Sequence, residues 1–422
     1  MKLVKTTLWS GFISFLRIAS GFVSTKVVAV LIGPAGVATV GAFINFVSIV
    51  LTFGNGAINN GVIKYTAELK DSNLKPLFAT CLKISVYCSI FFGAIIIFFA
   101  KIIGPWIFNS NDFNDTIGFL GVCLIFYSLN TLLLSVLNGL GNIRVYTLIN
   151  TVSTLTGLVL TCLLSYYFEV RGALYAIVLS QTIVFFIAIA LVWKNKLLDF
   201  NFFRGAFDQA VFKKLSHYTL MAIVTALSVP LSQIIVRNLI NRELGILDAG
   251  LWQGMMRISD GYLMVVNTAL TTYYLPKLSS LNTDREIKEE LFKGAKLILP
   301  ITLILCAIIY GLREFIVAIL YSKDFYQMKD LFFWQIIGDF FKISSFLLAF
   351  LLLAKARTKE FIVLEVFSTL VFIGFNYFFI NKYGIIGSSF AFFLSYLIYF
   401  LSLLWVFKNL LFKNENITDR GI

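Results

Sequence analysis

Apolar runs of about twenty residues recur from one end of the chain to the other, separated by short polar intervals. That length matches the thickness of a bilayer's hydrocarbon core when the run is helical. The pattern predicts helices at 7–32, 37–66, 77–101, 116–140, 144–167, 171–193, 212–240, 246–275, 290–312, 328–354, 359–380 and 384–407. The apolar residues run on without strict alternation, so the runs read as helices and not as strands of a barrel. The expected fold is all-α, a polytopic membrane protein with twelve transmembrane helices. The first run holds two charges and ends in Gly33-Pro34-Ala35-Gly36, so it is expected to be a span and not a cleaved signal peptide.

The polar positions inside the runs carry the functional information. Arg17 and Lys26 lie in the first helix, Arg257 and Asp260 in the eighth, and Asp339 and Lys342 in the tenth. Each charge at membrane depth costs about 3 kcal/mol on insertion scales. A chain that keeps them is expected to enclose a polar cavity, and four cations among six suit an anionic ligand. Arg17 sits roughly 15 Å from the near end of its helix, too deep to snorkel, with no acidic residue in that helix. Lys26 is nine positions on and faces the same cavity only if the helix bends. Arg257 and Asp260 are three apart, as are Asp339 and Lys342, so each couple shares a helix face. Such couples either neutralise each other or exchange the partner for a substrate anion. Asp260, Asp339 and Glu365 are candidates for coupling or charge pairing, with Glu365 placed as a partner of Lys342 or Lys359. Lys64 and Glu68 read as a surface pair. Helix breaks are expected at Asn55, Asn59, Asn60 and Gly61, where Gly54-Asn55-Gly56 interrupts the apolar run, and at Pro230.

The runs repeat. Thr7-Leu8 recurs as Thr219-Leu220, and Gly172-Ala173-Leu174 has a counterpart at Gly384-Ile385-Ile386, both 212 residues on; Ser153-Thr154-Leu155 recurs at Ser368-Thr369-Leu370, offset 215. A parallel duplication of six helices follows. It predicts an N-terminal six-helix lobe at 1–196, a charged cytoplasmic linker at 197–211, and a C-terminal six-helix lobe with a short tail at 212–422. The intramembrane charges are not duplicated, so they serve a site and not the scaffold.

Composition agrees: 59% of residues are hydrophobic and 14% charged, where soluble chains carry about 25% charged residues. With both termini cytoplasmic, 23 cations fall at cytoplasmic ends and 8 at the opposite ends; the four intramembrane cations complete the 35. This is a positive-inside bias, and it accounts for the net charge of +13 through anionic lipid without nucleic acid. All five cysteines lie in apolar runs without metal-ligand spacing and read as small core residues. The one histidine, His217, sits at a helix mouth and reads as a hydrated structural group. There is no nucleophile motif and no Gly-rich phosphate loop. An enzyme is therefore not expected, nor a cofactor or a metal.

These residues resemble a known family. Gly33-Pro34-Ala35-Gly36, the run Asn60 to Tyr65, Trp252-Gln253-Gly254 followed by Ile258-Ser259-Asp260, and Asp330-Leu331-Phe332 leading to Trp334-Gln335 and Gly338-Asp339 are similar to the Wzx flippases. These are the O-antigen and enterobacterial common antigen translocases of the multidrug/oligosaccharidyl-lipid/polysaccharide exporter superfamily. The resemblance implies two six-helix lobes around a central V-shaped cavity lined by helices 1, 2, 7 and 8. It also implies that undecaprenyl-pyrophosphate-linked oligosaccharide moves from the cytoplasmic to the periplasmic leaflet of the bacterial inner membrane by alternating access. Cationic Arg17, Lys26, Arg257 and Lys342 fit a pyrophosphate. The expected partners are that carrier lipid, membrane lipids, and a polymerase and chain-length regulator of the same pathway. The alternatives are a drug/cation antiporter of the same fold, whose cavity should favour acidic residues, and a flippase for another lipid-linked glycan.

Overall fold

Helix ends and interruptions set the architecture, because almost everything between them is apolar and helical. The computed structural model describes residues 19–69, 71–195, 200–355 and 357–412. No strand occurs among the described residues. They form two compact units, divided between Ile234 and Ile235.

In the first unit, Ala19–Leu31 is α1 and Gly33–Gly54 is α2. Gly33 takes a φ of +78°, a conformation that glycine adopts without strain, and Pro34 opens α2, where its missing N–H is harmless. The chain leaves the helix at Asn55 and re-enters at Asn59–Glu68, α3. The backbone groups freed there are satisfied locally. The Ala57 amide donates to Asn55 Oδ1 at 2.9 Å, and Ser128 Oγ donates to the Gly54 carbonyl at 3.1 Å. The break is shorter than the polar run suggested. Asn59, Asn60 and Gly61 form the first turn of α3, where polar side chains are tolerated at a helix start.

Asp71–Phe98 (α4), Ala100–Phe108 (α5), Asn114–Gly139 (α6) and Ile143–Lys194 (α7) complete the first unit's main elements. α4 and α6 approach backbone to backbone: a Cβ on Gly93 would lie 2.6 Å from the Gly121 carbonyl oxygen. Small residues at such crossings let transmembrane helices pack closely. α7 is helical throughout except at Glu169, with φ 50° and ψ −129°, and this residue separates the expected fifth and sixth helices.

Gln209–Leu244 (α8) runs on through Pro230 and crosses the division between units. The second unit continues with Ile246–Ala269 (α9), a π-helical turn at Leu270–Tyr274, Leu275–Ser280 (α10), Asp284–Gly311 (α11) and Arg313–Leu320 (α12). A 3₁₀ segment at Lys323–Leu331 leads into Phe332–Ala354 (α13), Thr358–Tyr383 (α14), Ile385–Val406 (α15) and Lys408–Phe412 (α16). α13 packs against α9, α11, α14 and α15. Thr283 caps α11: its Oγ1 accepts from the Glu286 amide at 3.3 Å while the Glu286 carboxylate accepts from the Thr283 amide at 3.3 Å.

Among the described residues nine helices are long and apolar enough to cross a membrane, with α7 counted once. α9 is not among the nine, although it is 24 residues long; it carries Asp248, Arg257 and Asp260.

The same interruptions recur in both units. Phe99 (φ −95°, ψ 10°) parts α4 from α5, and Leu312 (φ −93°, ψ 7°) parts α11 from α12. Asn142 (φ −80°, ψ 62°) precedes α7, and Arg357 (φ −75°, ψ 63°) precedes α14. Glu169 corresponds to Gly384, with φ 60° and ψ −146°. Three residues on, a Cβ on Gly172 would sit 1.8 Å from the Leu164 carbonyl oxygen, and one on Gly387 would sit 2.1 Å from that of Phe379. Gly172 therefore corresponds to Gly387 and not to Gly384. The sequence comparison matched like residues; the structure matches the turn, which uses Glu in one copy and Gly in the other.

Candidate functional site

Two helices of the second unit turn polar faces toward each other. On α13 the face is Gln335, Asp339 and Lys342, spaced by four and three; on α9 it is Met256, Ser259, Tyr262 and, at its edge, Asp260. The Gln335 amide donates to Ser259 Oγ at 3.4 Å. Ser259 Oγ and the Tyr262 hydroxyl each donate to Asp339, one to each carboxylate oxygen, both at 2.5 Å. Asp339 has no exposed surface. Both its oxygens are thus satisfied by hydroxyls in a setting where an unpaired carboxylate would cost several kcal/mol.

Lys342 completes the cluster. Its ammonium reaches Asp260 Oδ1 at 3.2 Å, with 11% of the lysine side chain exposed against 53% of the aspartate's. It also lies 5.8 Å from the Phe392 ring centroid and 5.7 Å from that of Tyr396, both on α15. Aromatic faces stabilise a partly desolvated cation. The buried lysine is thereby joined to an aspartate that stays accessible.

The pairing differs from the one that spacing alone offered. Neither Arg257–Asp260 nor Asp339–Lys342 is an ion pair among the described residues; the pair that forms, Lys342–Asp260, runs between helices. Three-residue spacing brings two side chains to one face, but which group each meets depends on how neighbouring helices are rotated. Glu365 pairs with neither Lys342 nor Lys359 among the described residues. Its carboxyl lies close to the Tyr399 hydroxyl on α15. Lys359 is six residues away on α14, nearly across the helix, and Lys342 is engaged by Asp260.

The remaining candidates are spread over both units. Arg17 lies outside the described residues. Lys26 is half-buried in α1, and Arg257 is half-buried on α9. Asn55 is 2% exposed at the end of α2. Gly61 is buried, Asn59 half-buried and Asn60 exposed in α3, and Pro230 is half-buried within α8. Lys64 and Glu68 form an exposed pair at 3.8 Å. In the first unit, Asn45 donates to Gln233 at 3.0 Å, and Asn130, Gln181 and Ser153 form a chain of hydrogen bonds at 3.1 Å.

Sequence reasoning missed Arg237. Counted as a residue at a helix end, it is 1% exposed on α8, flanked by buried Ile234, Val236 and Ile240, and its Nη2 donates to Asn238 Oδ1 at 2.6 Å. The sign was available: Arg237 lies seven residues before Leu244, the last position of a 36-residue helix, with apolar Val236 and Ile240 on either side. Ser259 and Gln335 entered only within the family motifs and Tyr262 not at all, because neutral polar residues are common in spans and gain meaning only beside Asp339.

A model of the family described as "Polysaccharide biosynthesis protein" matches residues 27–330. The chain belongs to this family. A protein named "Lipid III flippase" from Escherichia coli (strain K12) is 28% identical over 406 residues, covering 94% of this chain and 96% of the relative. One of the same name from Shigella flexneri matches to the same extent. Among solved structures, an inward-facing multidrug resistance MATE family transporter of the MOP superfamily aligns with a TM-score of 0.77 at 15% identity, covering 94% of this chain and 98% of that one. The lipid II flippase MurJ in an inward closed conformation aligns with a TM-score of 0.74 at 16% identity, covering 96% and 87%. At these identities the structures establish a shared fold.

Proposed function

We propose that the chain is a flippase that moves a lipid-linked oligosaccharide on an undecaprenyl pyrophosphate carrier from the cytoplasmic to the periplasmic leaflet of the inner membrane. The observation that carries this reading is end-to-end similarity to proteins named Lipid III flippase, over 94% of this chain. The chemistry supports it. Pyrophosphate needs cations in a site shielded from water, and Arg17, Lys26, Arg257 and Lys342 are four cations within spans. An O-antigen unit and an enterobacterial common antigen unit share that carrier, so the cationic groups suit both. The chain is a transporter and performs no covalent step.

In this reading Lys342 and Asp260 are a releasable pair. A substrate anion that reaches the exposed face of Asp260 competes for Lys342, while Asp339 stays held by Ser259 and Tyr262 as a fixed counter-charge. Expression of the chain in a flippase-deficient strain should restore surface polysaccharide. Failure to restore any lipid-linked glycan product, together with efflux of cationic dyes, would assign the chain to the drug/cation antiporters instead.

A further inference from the structure

The second unit has another built feature, away from the Asp339 cluster. α14 and α15 are antiparallel neighbours joined at Gly384, so the start of α14 and the end of α15 lie together. There they leave a groove of about 620 Å³ whose walls include Val363, Phe367, Leu401 and Trp405, with Lys359 and Glu360 also lining it, the glutamate being paired with Arg357. Lys408 stands over the Trp405 ring at 5.2 Å. Trp405 is 69% exposed. An apolar groove, two lysines and an exposed Trp at one end of two spans is the arrangement that suits a lipid's tail and its headgroup at the membrane–water boundary.

We propose that this groove binds one anionic phospholipid, with an acyl chain against Val363, Phe367 and Leu401 and the phosphate at Lys359 and Lys408. From Lys359 to Phe367 the helix rises about 12 Å, enough for the first part of an acyl chain. The start of α14 adds the positive end of its dipole at the phosphate level. Charge decides among occupants. A second copy of the chain would bring like charges together across a twofold axis. A pyrophosphate carrier would gain from a bidentate arginine beside the lysines, and the nearby Arg357 is held by Glu360 at 3.0 Å. A phosphodiester asks only for the two lysines. The site is independent of the transport reading above.

Native mass spectrometry of the purified full chain, equilibrated with dioleoyl phosphatidylglycerol or dioleoyl phosphatidylcholine, tests this. One phosphatidylglycerol should be retained in preference to phosphatidylcholine. The double variant Lys359→Ala/Lys408→Ala should weaken that retention about thirtyfold, at the usual increment per basic residue. Val363→Trp, which fills the groove from its lipid-facing wall, should reduce retention while the lysines remain. Equal retention of the two lipids, no change in the double variant, a protein dimer in place of the lipid, or displacement of phosphatidylglycerol by one equivalent of undecaprenyl phosphate would each overturn the proposal.

Discussion

At the residue scale, the Lys342–Asp260 contact sets an asymmetry. Asp260 is half exposed and Lys342 almost buried. Asp260→Ala leaves a nearly buried cation without its anion and should destabilise the protein by about 1–3 kcal/mol, below the cost for a fully buried pair because Asp260 is half exposed. Asp260→Ala/Lys342→Met should be milder than Asp260→Ala alone, and thermal unfolding in detergent measures both. If the pair also works in transport, the double variant remains inactive while folded; full activity in it would confine the pair to a structural role. Tyr262→Phe removes one of the two hydroxyls on Asp339 and should cost about 1.5–3 kcal/mol, the range for a hydrogen bond to a charged group. The sequence named Asp260, Asp339 and Lys342 because charge in an apolar run is visible in one dimension. It could not show that they meet across helices, nor that Arg237 is buried, because both depend on helix rotation and on where a helix ends.

At the element scale, close crossings explain where glycine is required. A Cβ on Gly93 would press against the Gly121 carbonyl, whereas one on Gly118, in the same helix as Gly121, meets nothing within 4 Å. Gly93→Ala should therefore lower stability by about 1–3 kcal/mol, and Gly118→Ala should be neutral or slightly stabilising. Equal unfolding temperatures for the two variants would contradict the α4–α6 contact. Most helices were legible from the apolar runs, since the lipid solvent leaves few alternatives to a helix. The fine structure of their interruptions was not. The break after Gly54 is confined to Asn55–Ile58 because Asn55 and Ser128 satisfy the freed backbone there, a tertiary fact. The turn at Glu169 carries no glycine of its own, so only its φ and ψ reveal that it matches Gly384.

At the scale of the whole molecule, matching junctions in the two units support a duplicated scaffold on which the charges were placed singly. The topology expected from the cation bias would have both termini in the cytoplasm. Reporter fusions after Lys196, Ser279 and Lys413 should all report cytoplasm, and fusions within Asn109–Asp115 periplasm; a periplasmic signal after Lys196 would break the six-plus-six arrangement. Charge bias was readable from the sequence because it needs only counting, while the identity of the cargo rests on chemistry and on relatives. Arg17 is one of the four cations proposed to meet the pyrophosphate. The most direct measurement is translocation of a short-chain pyrophosphate-linked oligosaccharide across proteoliposomes holding the purified chain, wild type beside Arg17→Ala. The wild type should move the lipid across the bilayer, and the variant, equally well reconstituted, should not. Wild-type rates in Arg17→Ala would remove that residue from the site, and no translocation by the wild type above empty liposomes would contradict the flippase assignment itself.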